Sequence, residues 1–241
     1  MNDLYKNDFE FFLAHTSEKQ ILGEEILKDI QRFNVESLLD IGAGNGLLSI
    51  PLSKSVKRYL AVEPTEKFAG RLKKAGLEVI CSTFPVRIDG QFDMVLSSHV
   101  ISYRQKYFRS FIRRAWKLVK PGGVFLLVTF RGQGDDWDTF TKSLGEDRSV
   151  KRQGRLDDIL ELLRSLGEVQ IRKVVTHVRS KSLDDMITAL SFVYSNGFAE
   201  DKNSFMKKSE TVKNILTSKY KSGTQYVFPF QHLFVYGLKK G

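Results

Sequence analysis

Residues 37–50 read SLLDIGAGNGLLSI: five residues of strand character, then Gly42, Gly44 and Gly46 in close succession, then a renewed apolar helical pattern. A strand that breaks into a glycine-rich turn and resumes as a helix is the first half of a βαβ unit, because parallel strands need a crossover between them. The rest of the chain extends this beginning. Hydrophobic period and turn residues predict strands over 37–41, 58–62, 77–81, 92–98, 123–130, 168–178 and 226–238. Helices over 47–54, 65–74 and 104–119 separate the first five strands, and Gly76, Gly90 and the run Pro121-Gly122-Gly123 fall where turns are needed. Amphipathic stretches at 4–14 and 18–33 precede the sheet, while 183–196 and 204–218 lie between the last two strands, placed to cover a pocket. One domain is expected of 241 residues. Its parts are a helical cap over 1–35, a core over 36–180, a helical insertion over 181–222 and a final strand over 223–241.

Composition removes several function classes. Apolar residues make up 41% and charged residues 27% of the chain, and no apolar run approaches the roughly 20 residues that cross a bilayer, so no membrane segment is expected. The opening stretch MNDLYKNDFEFFLAH carries acids and has no basic leader or small-residue cleavage site, which predicts a cytoplasmic protein without a signal peptide. Cys81 is the single cysteine, which rules out an internal disulfide and a cysteine zinc cluster. Four scattered histidines without carboxylates at ligand spacing predict no metal site, and Asp135, Asp136 and Asp138 around Trp137 read as a solvated loop. The net charge of +10 is concentrated in Lys106, Arg109, Arg113, Lys117 and Lys120 and in a second group over 202–221. Both fit the solvated faces of amphipathic helices, with a nucleic-acid surface as the alternative.

The glycine turn has a chemical meaning. Asp40 closes the strand, and Gly42, Ala43, Gly44, Asn45 and Gly46 form a tight loop whose amides and following helix are expected to face an anionic group above the sheet. A dinucleotide fingerprint requires a third glycine where this chain has Leu47, so dinucleotide binding is disfavoured. Glu63 ends the second strand about 20 residues further on, where an acid accepts the hydroxyls of a ribose. A nucleoside without a pyrophosphate is implied.

These residues resemble the first motif, D-x-G-x-G-x-G, of the class I S-adenosylmethionine-dependent methyltransferases, matched by Asp40, Gly42, Gly44 and Gly46. YLAVEP (59–64) looks like that family's ribose-binding strand end, GQFDMVLSSHVISY (90–103) like its fourth strand, and VKPGGVFLLVTF (119–130) is similar to its entry into strand five. The resemblance implies a three-layer α/β sandwich around a seven-stranded, mostly parallel sheet of order 3-2-1-4-5-7-6 with strand 7 antiparallel. The N-terminal helices and the insertion between strands 6 and 7 are additions to it. It also implies S-adenosyl-L-methionine as cofactor. Asp40 would orient the loop or reach the cofactor's amino group, Gly42, Ala43 and Gly44 would lie against the methionine portion, and Glu63 with Pro64 beside it would hold the ribose. For the adenine the family offers an acid after strand three, but this chain has Ser82 and Thr83 there, with Phe84 able to stack. Ser98 completes the expected cofactor set.

An activated methyl donor asks mainly for alignment and exclusion of water, with one base at most. His99, just past strand four at the carboxyl edge of the sheet, is the candidate base, and Tyr103 the candidate substrate contact. Tyr5 and His15 sit on the leading helix, and Arg131, Trp137 and Tyr194 are candidates to line a substrate pocket, whereas His177 and His232 read as ordinary sheet residues. Ser97-Ser98-His99-Val100 replaces the N-P-P-Y type sequence of base-amino methyltransferases, and Cys81 is on the wrong side for pyrimidine C5 chemistry. The expectation is methyl transfer to an oxygen or nitrogen of a small-molecule metabolite. The alternatives are a tRNA or rRNA methyltransferase using the basic surface and a cofactor-binding module without activity. The sequence leaves oligomeric state open.

Overall fold

The residues Ser37–Ile41 form β1, buried at every position. Continuous burial is what a central parallel strand covered on both faces requires, and it explains why SLLDI shows no polar alternation. In the computed structural model, which describes residues 3–101, 107–131, 133–145, 149–198 and 202–241, β1 pairs in parallel with β2 (Arg58–Val62) on one side and β4 (Phe92–Ser98) on the other. β3 (Glu78–Ile80) adds to β2, and β5 (Val119–Phe130) adds to β4 after a register shift between Phe92 and Met94. β8 (Gln225–Leu238) runs antiparallel to β5, with Leu126 opposite Tyr236 and Phe130 opposite His232. β6 (Glu168–Ser180) follows, and the short β7 (Lys221–Ser222) forms a hairpin with β8.

The sheet order is β3-β2-β1-β4-β5-β8-β6, with β7 paired only to β8. The expected order holds for the seven strands other than β7. The eighth is the hairpin strand, which raises the number of the last long strand by one.

Alternate residues of the strands enter two separate cores, which makes three layers. Leu39, Val95 and Leu127 pack with Phe111 and Ile112 of α5 (Phe108–Lys117) and with Ile159 and Leu163 of α7 (Ser149–Leu166). Leu38, Met94 and Leu126 pack with Leu22 and Ile26 of α2 (Glu18–Arg32), Leu52 of α3 (Ser49–Ser53) and Leu72 of α4 (Glu66–Lys74). Each such side chain contributes about 1.5–3 kcal/mol by leaving water, enough collectively to fix the register of the glycine loop above them.

The chain divides into two compact units. The larger holds Gln20–Gly132, Ser149–Val174 and His232–Gly241, and so includes α2 from Gln20 onward as well as the first five strands. The smaller holds Met1–Lys19, Gln133–Arg148 and Val175–Gln231. It contains α1 (Asp3–His15), α6 (Asp136–Ser143), α8 (Leu183–Phe198), α9 (Lys202–Met206) and α10 (Ser209–Lys219). Aromatic pairs fill it: Phe12 with Phe192 at 5.3 Å, Trp137 with Phe140 at 5.6 Å, Tyr194 with Phe205 at 4.9 Å and Tyr220 with Phe228 at 4.5 Å between ring centres. Among the described residues no helix is long and apolar enough to cross a membrane.

Three local expectations need correction. The helix expected over 47–54 is only Ser49–Ser53, because the backbone is still left-handed at Gly46 (φ +87°) and the Leu47 N–H is taken by Asn45 Oδ1 at 3.2 Å. The acidic cluster is not a solvated loop. Asp135 caps α6 by accepting the Asp138 N–H at 2.8 Å, and Asp138, 3% exposed, accepts the Gly134 N–H at 2.9 Å. The single segment expected over 204–218 is two helices, α9 and α10.

Candidate functional site

The site is built at the carboxyl ends of β1, β2 and β4, where an open α/β sheet presents its loops. Asp40 is 2% exposed and points down from this edge into the core. Its Oδ2 accepts the Tyr59 hydroxyl at 2.6 Å and lies 2.6 Å from Ser49 Oγ, which is itself 3.0 Å from the Ala43 carbonyl. Burial, then the charge of Asp40, push the Tyr59 phenol well above its ordinary value, so it stays protonated and keeps donating. Asp40 thus braces the glycine loop from beneath.

The loop's amides do not point outward as expected. Gly42 and Ala43 N–H groups bond to the Val62 carbonyl at 2.7 and 3.3 Å, and the Gly44 N–H bonds to Glu63 Oε2 at 2.8 Å. A phosphate cradle needs those donors free to face the ligand. The helix that follows the loop, α3, is only five residues long, shorter than the run of 47–54 expected from the sequence. What the loop offers instead is room. An ideal Cβ on Gly44, at φ +60°, meets nothing nearer than the Gly42 carbonyl at 3.9 Å, whereas one on Gly42, at φ +80°, would lie 2.3 Å from Val100 Cγ2. Gly42 is closed over by Val100 after β4, whereas among the described residues nothing crowds the Gly44 position.

Glu63, 5% exposed, directly follows β2, with its second oxygen accepting the Thr65 N–H at 2.8 Å. Its carboxylate is therefore held at a fixed place beside Gly44, with Pro64 exposed next to it. Ser97 and Ser98 close β4, and the hydroxyl oxygens of both are buried without a hydrogen-bond partner among the described residues. Beyond β3, Ser82 is half-buried and Thr83 exposed, but the Phe84 ring is not placed to stack on a base. It is 6% exposed and packs edge-on against Phe111 at 4.8 Å.

His99 follows Ser98 with a left-handed backbone, φ +57°, which a residue with a side chain adopts only where its surroundings hold it. Its N–H extends the β4–β5 ladder to the Val128 carbonyl at 2.9 Å, and its ring lies 4.5 Å from Phe130. His232, expected to be an ordinary sheet residue, is fully buried with Nδ1 3.2 Å from His99 Nε2. Sequence reasoning missed it because the contact depends on the antiparallel β5–β8 register, which no local pattern encodes. Tyr59 and Ser49 were missed too, although Tyr59 stands two residues before the strand position opposite Asp40.

The other candidates lie elsewhere. Tyr103 and the side chain of Tyr5 fall outside the described residues. Trp137 and Tyr194 are core residues of the smaller unit, 8% and 0% exposed, rather than pocket walls. His15 of that unit bonds to the Phe11 carbonyl at 2.9 Å and lines a cleft with Arg179, Lys181 and Asp185. Arg131 is half-buried just past β5, and His177 lies in β6, its N–H 3.1 Å from Ser17 Oγ.

An open parallel sheet with a glycine turn after β1, a carboxylate at the tip of β2 and an antiparallel strand beside β5 defines the class I Rossmann-like architecture. Residues 39–125 match the family model described as a methyltransferase domain. Over 102 residues the chain is 32% identical to the ubiquinone biosynthesis O-methyltransferase of Caulobacter vibrioides, covering 39% of this chain and 40% of that protein. A protein of the same name from Methylobacterium nodulans is 31% identical over 104 residues, with 39% and 40% covered. The chain thus spans about 40% of the length of these curated relatives. It is also similar in structure to the YcgJ protein of Bacillus subtilis, with a TM-score of 0.60 and 17% identity over 91% of this chain and 98% of that one. The N-methyltransferase NodS of Bradyrhizobium japonicum WM9 gives a TM-score of 0.50 and 13% identity over 90% of this chain and 96% of that one. At such identities the structural likeness is one of fold. Over residues 39–125 the chain is thus similar to a methyltransferase domain, and its sheet has the class I, Rossmann-like strand order.

Proposed function

We propose that the protein is an S-adenosyl-L-methionine-dependent methyltransferase that moves the methyl group to an oxygen or nitrogen of a small metabolite. One observation carries this reading: the Glu63 carboxylate is fixed at 2.8 Å from the Gly44 N–H, beside a glycine whose side-chain position meets nothing nearer than 3.9 Å among the described residues. A carboxylate so placed suits a pair of ribose hydroxyls, and the bare backbone suits the methionine portion of the same molecule. Inward-turned amides speak against a pyrophosphate. The buried hydroxyls of Ser97 and Ser98 at the same edge are groups whose burial is costly until something bonds to them. The bound cofactor would supply an activated methyl. The chain supplies position and a dry site, and His99 takes the proton that the acceptor loses. The curated relatives, named as O-methyltransferases, support an oxygen acceptor.

Titration calorimetry with S-adenosylmethionine and S-adenosylhomocysteine, followed by labelled-methyl transfer to small-molecule and RNA fractions, tests the reading. Binding of both and transfer to small molecules are expected. No heat with either compound would overturn it. The exposed basic residues Arg109, Arg113 and Lys117 on α5 make RNA the second reading. Transfer to RNA that falls steeply as salt rises would favour it, since phosphate contacts are lost with counterion competition.

A further inference from the structure

We propose that the cleft of the smaller unit is a binding site for a small organic anion, a carboxylate or phosphate that also carries a hydroxyl or amine to donate to Asp185. The proposal goes beyond the methyltransferase reading, and neither depends on the other. The cleft measures about 350 Å³, inside the range of roughly 300–1,000 Å³ in which ligand pockets fall. It is lined by His15 at the end of α1, Arg179 and Ser180 at the end of β6, Lys181 and Ser182 in the turn that follows, and Asp185 in the first turn of α8. These six residues all belong to the smaller unit.

Charge sets the ligand class. Arg179 and Lys181 stand as two cations against the single carboxylate of Asp185, so the walls carry an excess of positive charge. Among the described residues none of the three is in an ion pair, although they share one cleft, so their charges are not spent on each other. The Arg179 guanidinium is a planar fork that matches both oxygens of a carboxylate or phosphate, and Lys181 adds a compact charge beside it. Two hydroxyls extend the donor set. Ser180, 8% exposed, accepts the Ser182 N–H at 3.0 Å, and Ser182 Oγ accepts the Asp185 N–H at 3.2 Å. That capping uses a lone pair of each oxygen and leaves both hydroxyl hydrogens to donate. His15 donates from Nδ1 to the Phe11 carbonyl at 2.9 Å, since a carbonyl only accepts, and Nε2 is the ring nitrogen left for a ligand. An ionised Asp185 only accepts, so it disfavours a bare anion and favours one that brings a donor of its own.

Calorimetry and amide spectra of the full chain, titrated with inorganic phosphate, malate and succinate, test the proposal. Saturable binding is expected, with the amide signals of Ser182 and Asp185 moving. Malate, which carries a hydroxyl, should bind more tightly than succinate, which does not, and the preference should vanish in Asp185→Asn. Arg179→Gln is expected to weaken malate and phosphate alike by about tenfold or more, as loss of hydrogen bonds to a charged group does. Arg179 and Lys181 are exposed, so Arg179→Gln and Lys181→Gln should keep the wild-type melting temperature and report binding alone. Phosphate binding more tightly than malate would identify a phosphate ligand, and the reverse order a carboxylate. No saturable binding of any of the three probes would overturn the proposal, as would wild-type affinity in the double variant Arg179→Gln, Lys181→Gln. Equal affinity for malate and succinate in the wild type would overturn the part given to Asp185.

Discussion

The carboxylate of Glu63 accepts the backbone N–H of Gly44 at 2.8 Å, across 19 residues of sequence, so the tip of β2 and the loop after β1 move as one piece. The other oxygen holds the Thr65 N–H at the same distance. Glu63 is therefore both a structural clasp and the proposed ribose ligand.

The two roles separate under mutation. Glu63→Gln keeps an acceptor for one of the two amides and should retain most of the melting temperature, whereas Glu63→Ala leaves both amides and the ribose without a partner. Binding of S-adenosylmethionine is expected to weaken about tenfold or more in the alanine variant, equivalent to about 1.4 kcal/mol per factor of ten. Calorimetry paired with thermal melts reads both effects. Wild-type affinity in Glu63→Ala would remove the ribose role.

Gly42 and Gly44 look interchangeable in the sequence and differ in the structure. Gly42→Ala forces a Cβ to 2.3 Å from Val100 Cγ2 at φ +80°, so it is expected to lower stability by about 1–3 kcal/mol from overpacking. Among the described residues Gly44→Val meets nothing nearer its Cβ than the Gly42 carbonyl at 3.9 Å, so it should cost mainly the left-handed backbone, about 1–2 kcal/mol, while abolishing cofactor binding. Denaturant curves and calorimetry on the two variants should show opposite patterns. A Gly44→Val protein that is folded and binds normally would place the ligand elsewhere.

How much of this was legible follows from where the information sits. Strand limits for β1, β2 and β4 follow from SLLDI, RYLAV and FDMVLSS, because buried parallel strands are short apolar runs bounded by turns. The helix α7 was not anticipated, since its first half, SVKRQGR, is polar and carries a glycine. Positions fixed by local motif, such as Gly44 and Glu63, could be found. His232 and Tyr59 meet their partners through register between strands, and Phe84 through packing on α5, so only three-dimensional pairing reveals these contacts.

Asp93 ties the start of β4 to β1 and β5. It accepts the Ser37 amide and hydroxyl at 2.7 Å each and pairs with Lys120 at 2.8 Å. Burial alone would raise its carboxyl, but the Lys120 ammonium and the Ser37 donors outweigh that and hold it below its ordinary value of 3.8. A carboxyl lowered by folding contributes stability that is complete above 3.8 and disappears as pH falls through the folded-state value. Urea midpoints of wild type and Asp93→Asn should therefore differ at about pH 7 and converge in strong acid. A gap that stays constant into strong acid would mean that another group carries the effect.

Arg172 of β6 joins α2 to two strands. Its guanidinium pairs with Glu25 and with Asp29, the latter at 2.9 Å, donates to the Tyr236 hydroxyl at 3.0 Å, and lies 4.8 Å from the Phe234 ring centre. Tyr236 in turn donates to Asp29 at 2.8 Å. Asp29 is 3% exposed, and burial pushes its carboxyl up against the opposing pull of Tyr236 and Arg172. Removing Arg172 alone strands a buried carboxylate, so Arg172→Leu is expected to cost about 3 kcal/mol or more. Replacing both partners removes the stranded charge with its mate, so Arg172→Leu combined with Asp29→Leu should cost less than the two single losses added together. Denaturant unfolding of the four proteins in that cycle measures the coupling. Simple additivity would show that the two side chains do not depend on each other, and that α2 is held to the sheet by the Leu22 and Ile26 packing alone.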